Sequence, residues 1–189
     1  MHWTGATATI RRPQLDVRQQ MLLALALVAT LAIPLTAPLT LPDLFPAATG
    51  SDNTCYTFTA AERGFASKMN EERRQRGLGT MKLDPELSRA AMKHTKEMTG
   101  ANTLMHTTTT ALTRRVTNWV TLGENVGVGA EVATLHSAFM NSPAHKDNVL
   151  HSSFNNVGVG VGNAGGRMWV TVIFEARSNP GTRLGMPSC

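Results

Sequence analysis

Residues 157–162 read Val-Gly-Val-Gly-Val-Gly, and this alternation decides how the C-terminal half of the chain folds. Successive side chains of a β-strand point to opposite faces, so the valines share one face and the glycines the other. A glycine face lets another element approach the strand backbone closely. Residues 163–166 supply a turn, and the β-branched and aromatic residues 167–174 complete an antiparallel hairpin. Residues 123–129 are expected to add a further strand or extended loop.

Helix signals dominate the sequence before this hairpin. Thr59 and Glu62 have the spacing of a capping box, and Gly77 stands where a left-handed residue would end that helix. Asp84 and Pro85 are typical of the N-cap and first position of a second helix. The predicted helices cover residues 59–76, 84–100 (stopped by Gly100), 112–119, 131–140 and 142–150. Helices placed mainly before a small antiparallel sheet indicate an α+β fold.

The N-terminal region has the layout of a secretory signal peptide. An uncharged apolar run of 13 residues, 21–33, is followed by Pro34. A membrane-spanning helix needs about 20 apolar residues, so no permanent anchor is expected. Three basic residues precede the run: Arg11, Arg12 and Arg18. We therefore expect residues 1–50 to be a signal peptide and processing segment, and residues 51–189 to be a single exported domain.

The chain contains two cysteines, Cys55 and Cys189. In the oxidising environment outside the cell, such a pair is expected to form a disulfide. Closing so long a loop would stabilise the fold by roughly 5 kcal/mol in the chain-entropy model. The alternative is a pair of free thiols at the two ends of the domain.

Composition limits the classes of partner. Hydrophobic residues make up 42% of the chain and charged residues 16%, which is typical of a globular protein with a core. The formal net charge is +5, but the basic residues are scattered and are not interleaved with aromatic residues. A nucleic-acid partner is therefore not expected.

Three residues stand in settings that suggest a site: His106, Glu124 and His145. Two imidazoles and a carboxylate on separate segments are what a zinc site or a general-base site requires. Their spacing alone decides nothing, and the sequence has no HExxH motif, no GxSxG elbow and no cysteine placed as a nucleophile. The other histidines of the exported domain are expected to be structural: His94 (in the core), His136 and His151.

The order of the motifs resembles the bacterial CAP superfamily (cysteine-rich secretory, antigen 5 and pathogenesis-related 1), also called SCP-like extracellular domains. The resemblance covers about residues 58–174. It rests on the following elements: Asn70-Glu71, Ala90-Ala91-x-x-His94, His106, Gly123-Glu-Asn-Val126, Ser142-Pro-Ala-His-Lys-x-Asn-Val-Leu150, Val157-Gly-Val-Gly-Val161 and Trp169. It implies a three-layer α-β-α sandwich with a small, mainly antiparallel central sheet. It also implies a cleft lined by two histidines and two acidic residues, where some members hold a divalent metal.

By this resemblance, His106, Glu124 and His145 fall on three of the four cleft positions. Glu131 is the nearest candidate for the fourth, although it precedes a helix and its direction is open. Zinc or another divalent cation is the implied cofactor, and an incomplete acidic lining would weaken its binding. Asn125 and Asn148 are expected to brace the surrounding loops.

The resulting expectation is a secreted, monomeric CAP-domain protein that acts as a binding module. Its cleft would take a divalent cation, and its grooves a lipid or cell-wall ligand. One alternative is a hydrolase with His145 or Glu124 as general base and zinc as Lewis acid. Another is a structural envelope protein in which Glu124 only satisfies the ring N–H groups of the two histidines.

Overall fold

The structure, a computed structural model, describes residues 9–11, 55–178 and 188–189, all of which belong to one compact unit. The helices of this part are α1 (Ala60–Arg74), α2 (Pro85–Ala101), α3 (Thr109–Arg115), α4 (Val132–Asn141) and α5 (Pro143–Leu150). Its strands are β1 (Ile10–Arg11), β2 (Lys82–Leu83), β3 (Trp119–Gly129), β4 (Asn156–Ala164) and β5 (Arg167–Arg177). The predicted signal peptide otherwise lies outside the described residues.

The strands form one sheet in the order β1-β3-β5-β4-β2. The predicted hairpin is confirmed, with β4 and β5 antiparallel from Asn156↔Glu175 to Ala164↔Arg167. β3 pairs antiparallel with the other edge of β5. The sheet is mixed, because β2 runs parallel to β4. Two-residue strands such as β1 and β2 carry no readable periodicity, which is why the sequence did not predict them.

Helices cover both faces of the sheet, which confirms the α+β three-layer sandwich. On one face, α2 and α3 pack against Leu122 and Ile173. On the other, α1, α4 and α5 enclose a larger core with Val172 and Phe174 of β5. The valines of β4 point into this second core, as their alternation predicts.

The glycine face of β4 lies directly under α2. A Cβ atom built at Gly158 would be 2.2 Å from the carbonyl carbon of Leu87. One built at Gly160 would be 2.2 Å from the backbone nitrogen of Met92. Helix and strand therefore meet backbone to backbone, a separation that any side chain on these two residues would prevent. This contact fixes the height of α2 above the sheet.

The helix ends follow their local signals, with two corrections. The capping box at Thr59 is present as predicted, and Gly77 lies in the left-handed region at φ +69°. The expected stop at Gly100 is wrong, because α2 continues to Ala101 and is capped by Asn102, whose φ is 48°. The helix expected over 112–119 spans 109–115 instead, since the Thr108 hydroxyl accepts a hydrogen bond from the amide of Ala111 and caps α3, and Trp119 already begins β3.

The disulfide between Cys55 and Cys189 is present, with a Cα–Cα distance of 5.0 Å. The amide of Cys189 also donates to the carbonyl oxygen of Tyr56 at 3.1 Å. The bridge joins residues 134 positions apart and ties the start of the domain to the last residue of the chain. No helix among the described residues is long and apolar enough to cross a bilayer.

The end of α5 is held by a buried arginine on α1. Arg73 is 1% exposed, and its guanidinium donates to the carbonyl oxygens of Val149, His151 and Phe154 at 2.9–3.0 Å. It thereby satisfies carbonyl groups at the C-terminus of α5 that have no partner within that helix. This fixes the helix that carries His145.

Candidate functional site

Glu124 lies in the middle of β3, on the face covered by α2. It is 1% exposed and stands opposite Ile173 of β5 in the sheet register. The strand geometry explains this position, because Leu122 and Val126 on the same face pack into the hydrophobic clusters under α2. A carboxylate at this depth requires hydrogen-bond donors to offset the loss of its hydration.

The donors come from the loop that follows α2. Nδ1 of His106 lies 2.9 Å from Oε1 of Glu124, and the amide of Thr107 donates to the same oxygen at 2.8 Å. The structure thus brings His106 and Glu124 into direct contact. Two atoms of the pair, Nε2 of His106 and Oε2 of Glu124, are buried without a hydrogen-bond partner among the described residues.

The loop itself is held in place by His94. Nε2 of His94 donates to the carbonyl oxygen of Met105 at 2.8 Å, one residue before His106. Its Nδ1 lies 3.2 Å from Glu97, and Arg115 binds Glu97 at 2.6 Å. His94 is buried, as its place in the apolar stripe of α2 predicted. The sequence gave no signal for its second role, because the partner atom is a backbone carbonyl on a distant loop.

His145 approaches from α5, whose first residue is Pro143. Its side chain is buried, with Nδ1 2.7 Å from Oγ of Ser142. Its ring centroid lies 5.2 Å from that of Phe139 on α4, with the two planes tilted by 33°. The Ser142 hydroxyl and the Phe139 ring therefore set the direction of the imidazole.

Two asparagines tie α5 to β3. The side-chain amide of Asn125 donates to the carbonyl oxygen of His145 at 3.0 Å. That of Asn148 donates to the carbonyl oxygen of Glu124 at 3.2 Å and to Oδ1 of Asn125 at 2.9 Å. Both act as bracing amides. They join the segments that carry Glu124 and His145 to each other.

The electrostatics of the cluster favour ionised Glu124 and neutral His145 at pH 7. Burial by itself raises the pKa of Glu124, but hydrogen bonds from His106 and Thr107 and the charge of His94 outweigh it and lower the pKa below its ordinary value. Burial lowers the pKa of His145, and the charge of His106 lowers it further.

Glu131 lies at the start of α4, beyond the end of β3. It is an exposed residue at the N-cap of α4, and its carboxylate accepts a long hydrogen bond of 3.4 Å from Thr134. From Glu124, β3 runs five more residues to Gly129, roughly 16 Å at the rise of an extended strand. Within residues 9–11, 55–178 and 188–189, no group of three or more His, Cys, Asp or Glu side chains is arranged to hold a metal ion.

His136 and His151 make their contacts with other residues than His106, Glu124 and His145. Nε2 of His136 lies 3.8 Å from a carboxylate oxygen of Glu72 on α1. Nδ1 of His151 accepts a hydrogen bond from the amide of Ser153 at 3.3 Å. His136 thus contacts the neighbouring helix α1, and His151 contacts the loop that follows its own helix, as expected of structural histidines.

The sequence profile of the cysteine-rich secretory protein family, CAP, matches residues 66–174. The chain is also similar to protein YkwD of Bacillus subtilis (strain 168), with 28% identity over 109 residues. That alignment covers 54% of this chain and 42% of the relative, so the chain spans under half the length of the curated relative it matches.

Solved structures show the same fold. An outer surface protein of Borrelia burgdorferi aligns with a TM-score of 0.57 at 20% identity, over 61% of this chain and 92% of the other. An extracellular protein containing an SCP domain from Bacillus anthracis aligns with a TM-score of 0.56 at 22% identity, over 62% and 40%. A cysteine-rich secretory protein from Staphylococcus aureus aligns with a TM-score of 0.53 at 27% identity, over 62% and 38%.

Proposed function

Since the chain belongs to the cysteine-rich secretory protein family, CAP, we propose that it acts outside the cell as a binding module whose cleft takes up a divalent cation. The apolar run at residues 21–33 and the disulfide support export, because both are typical of secreted proteins. Two structural relatives, an extracellular protein and an outer surface protein, agree with that location.

The observation that carries the proposal is a pair of buried atoms that have no hydrogen-bond partner in the part of the chain that the structure describes. In the neutral ring of His106, Nδ1 uses its proton in the hydrogen bond to Glu124, and Nε2 carries a lone pair. The second oxygen of Glu124 is an acceptor as well. Buried polar atoms are nearly always satisfied, so each of these two acceptors calls for a donor or a cation beyond the described residues.

The chemistry of the donors fits a cation. A metal-bound histidine commonly donates its other ring N–H to a carboxylate, which fixes the tautomer and orients the ring. Glu124 stands in that relation to His106, so it orients the imidazole through Oε1. Neutral imidazole is a ligand that suits zinc and other transition-metal ions. An ion bound here would polarise a further ligand that coordinates it.

Two imidazoles make a weak site. His106 and His145 would hold the ion, with Glu124 as the carboxylate that orients His106. Structural zinc sites have four protein ligands and catalytic ones have three. With only two protein ligands, the fraction of the protein that holds zinc would depend on the external zinc concentration. Such reversible occupancy suits a binding role better than hydrolysis.

The test is calorimetry and thermal unfolding of the untagged, purified chain with and without zinc. We expect zinc at 100 times its Kd to stabilise the protein by about 2.7 kcal/mol and therefore to raise the Tm. His106→Ala and His145→Ala should lose this shift, whereas the matched control His151→Ala, outside the cluster, should keep it. Glu124→Gln should weaken zinc binding by about 10- to 100-fold.

The contrary results are equally specific. If zinc produces no heat and no Tm shift in the wild-type chain, the cation proposal fails. If the alanine variants lower the metal-free Tm while zinc shifts neither their Tm nor that of the wild-type chain, the cluster only braces the loop and β3, as the hydrogen bonds of Glu124 alone would suggest. Turnover of an ester or peptide that is lost in folded His145→Ala would instead support a hydrolase.

A further inference from the structure

His94 is a buried histidine of α2, and both of its ring nitrogens face hydrogen-bond acceptors. Its side chain is 2% exposed. Nε2 lies 2.8 Å from the carbonyl oxygen of Met105, and Nδ1 lies 3.2 Å from a carboxylate oxygen of Glu97. A carbonyl oxygen only accepts hydrogen bonds, so Nε2 carries a proton and donates to Met105. The ring therefore joins α2 to the backbone of the loop that follows this helix.

The other side of the His94 ring is held by an ion pair with α3. Arg115 binds Oε1 of Glu97 at 2.6 Å, while Oε2 of Glu97 faces His94. Burial raises the pKa of Glu97, but hydrogen bonds from His94 and Arg115 outweigh burial and lower it. Glu97 is therefore an ionised carboxylate between two donors, and it restricts the orientation of the His94 ring.

The peptide group between Met105 and His106 takes its orientation from the contact with α2. The Met105 side chain is 39% exposed, so burial of that side chain does little to hold the residue. On the other side of His106, the amide of Thr107 donates to Oε1 of Glu124 at 2.8 Å. His106 therefore lies between two fixed backbone groups, and Nδ1, the ring nitrogen nearer the backbone, lies 2.9 Å from the same oxygen.

We propose that His94 is a positioning residue of the cation site, acting on His106 through the carbonyl group of Met105. The fixed carbonyl holds the His106 backbone so that Nδ1, and not Nε2, donates to Glu124. His106 is thereby kept in the tautomer whose Nε2 lone pair can bind an ion. The effect on zinc rests on the proposed function, whereas the effect on the tautomer belongs to the metal-free chain.

The first experiment compares His94→Gln with His94→Asn in the full-length chain without metal. The amide nitrogen of glutamine is four bonds from Cα, like Nε2 of histidine, so it can still donate to the Met105 carbonyl. The amide nitrogen of asparagine is three bonds from Cα, like Nδ1, and falls short. The two variants therefore differ in the one hydrogen bond that carries the proposal.

The readout is ¹⁵N NMR of the His106 ring, because protonated and unprotonated ring nitrogens have well-separated chemical shifts. In His94→Asn the ratio of the Nε2–H to the Nδ1–H tautomer should rise about fivefold, the equivalent of one net hydrogen bond. His94→Gln should keep the wild-type ratio. An unchanged ratio in folded His94→Asn would overturn the proposal, and so would an equal change in His94→Gln, since the carbonyl contact would then not be the cause.

Arg115→Gln tests the same contacts from their outer end and keeps the proposal testable if His94→Asn does not fold. The side chains of Arg115 and Glu97 are 17% and 36% exposed, so loss of their ion pair should change the tautomer ratio by only about twofold. Arg114→Gln, on the exposed neighbouring residue of α3, is the matched control and should change nothing. Equal ratios in Arg115→Gln and Arg114→Gln would contradict the proposal.

The second experiment titrates the His94 variants with zinc in a calorimeter. His94→Asn should raise the Kd for zinc about tenfold, as loss of an outer-shell contact does in other metal sites, and His94→Gln should bind like the wild type. If the wild-type chain takes up no zinc, the proposed function fails, but the metal-free tautomer ratios still decide the role of His94. An altered tautomer ratio with an unaltered Kd would overturn the link between His94 and the cation.

Discussion

Replacing Gly160 by alanine should separate α2 from the sheet. A Cβ atom at this position would lie 2.2 Å from the backbone nitrogen of Met92 and 2.4 Å from the carbonyl carbon of Ala91. Both atoms belong to the helix backbone, so no side-chain rotation can relieve the clash. Ordinary contact begins at 3.4 Å, so the two elements would have to part by about 1.2 Å.

The cost follows from that displacement. Extra methylene groups in a packed core cost about 1–3 kcal/mol, and more when the backbone must move. We expect Gly160→Ala to lower the free energy of unfolding by about 3 kcal/mol or more, at or above the upper end of this range. At about 4 °C per kcal/mol for a domain of this size, the Tm should fall by about 12 °C. Differential scanning calorimetry measures the change.

Two glycines of the same region provide controls. At Gly162 the nearest atom to a new Cβ is a methyl group of Thr95 at 3.1 Å, which can shift, so Gly162→Ala should cost about 1 kcal/mol or less. At Gly100, inside α2, nothing lies within 4 Å, and alanine should stabilise the helix by about 0.5–1 kcal/mol. A Gly160→Ala protein that melts within 2 °C (about 0.5 kcal/mol) of Gly162→Ala would refute the backbone contact between helix and strand.

Two further predictions concern stability. The buried Glu175 has a pKa raised from 4.5 to about 7, because burial and the charges of Asp84 and Glu86 outweigh its contact with Arg177. The folded state therefore binds this proton more tightly than the unfolded state, and stability should fall by about 3 kcal/mol as the pH rises from below 4.5 to above 7. Urea unfolding across that range should show a flatter profile for Glu175→Gln, and parallel profiles would contradict the assignment. Reduction of the disulfide should lower the free energy of unfolding by about 5 kcal/mol, whereas a loss below about 1 kcal/mol would show that the closed loop contributes little.

Much of the fold was predictable because it is encoded in local patterns. The alternation of residues 157–162 specified both faces of β4, and the structure places α2 on the glycine face and the larger core on the valine face. Thr59 and Asp84 marked helix starts because a cap requires a particular side chain at a particular position. The Gly100 prediction failed because a glycine without a left-handed φ is simply a helical residue, and Asn102 adopted that conformation instead.

For the candidate site, too, some features follow from the sequence and others only from the tertiary structure. The sequence alone determined which side chains could bind a metal ion or act as a general base, and the motifs indicated His106, Glu124 and His145 as candidates. Only the tertiary structure shows that one carboxylate oxygen of Glu124 binds His106, that His94 donates to the carbonyl oxygen of Met105, and that Glu131 is the exposed N-cap of α4. Residue type fixes what a group can donate, accept or coordinate, but its partners are distant segments and backbone atoms. Those meet only where the packing of α2 and α5 on the sheet brings them together.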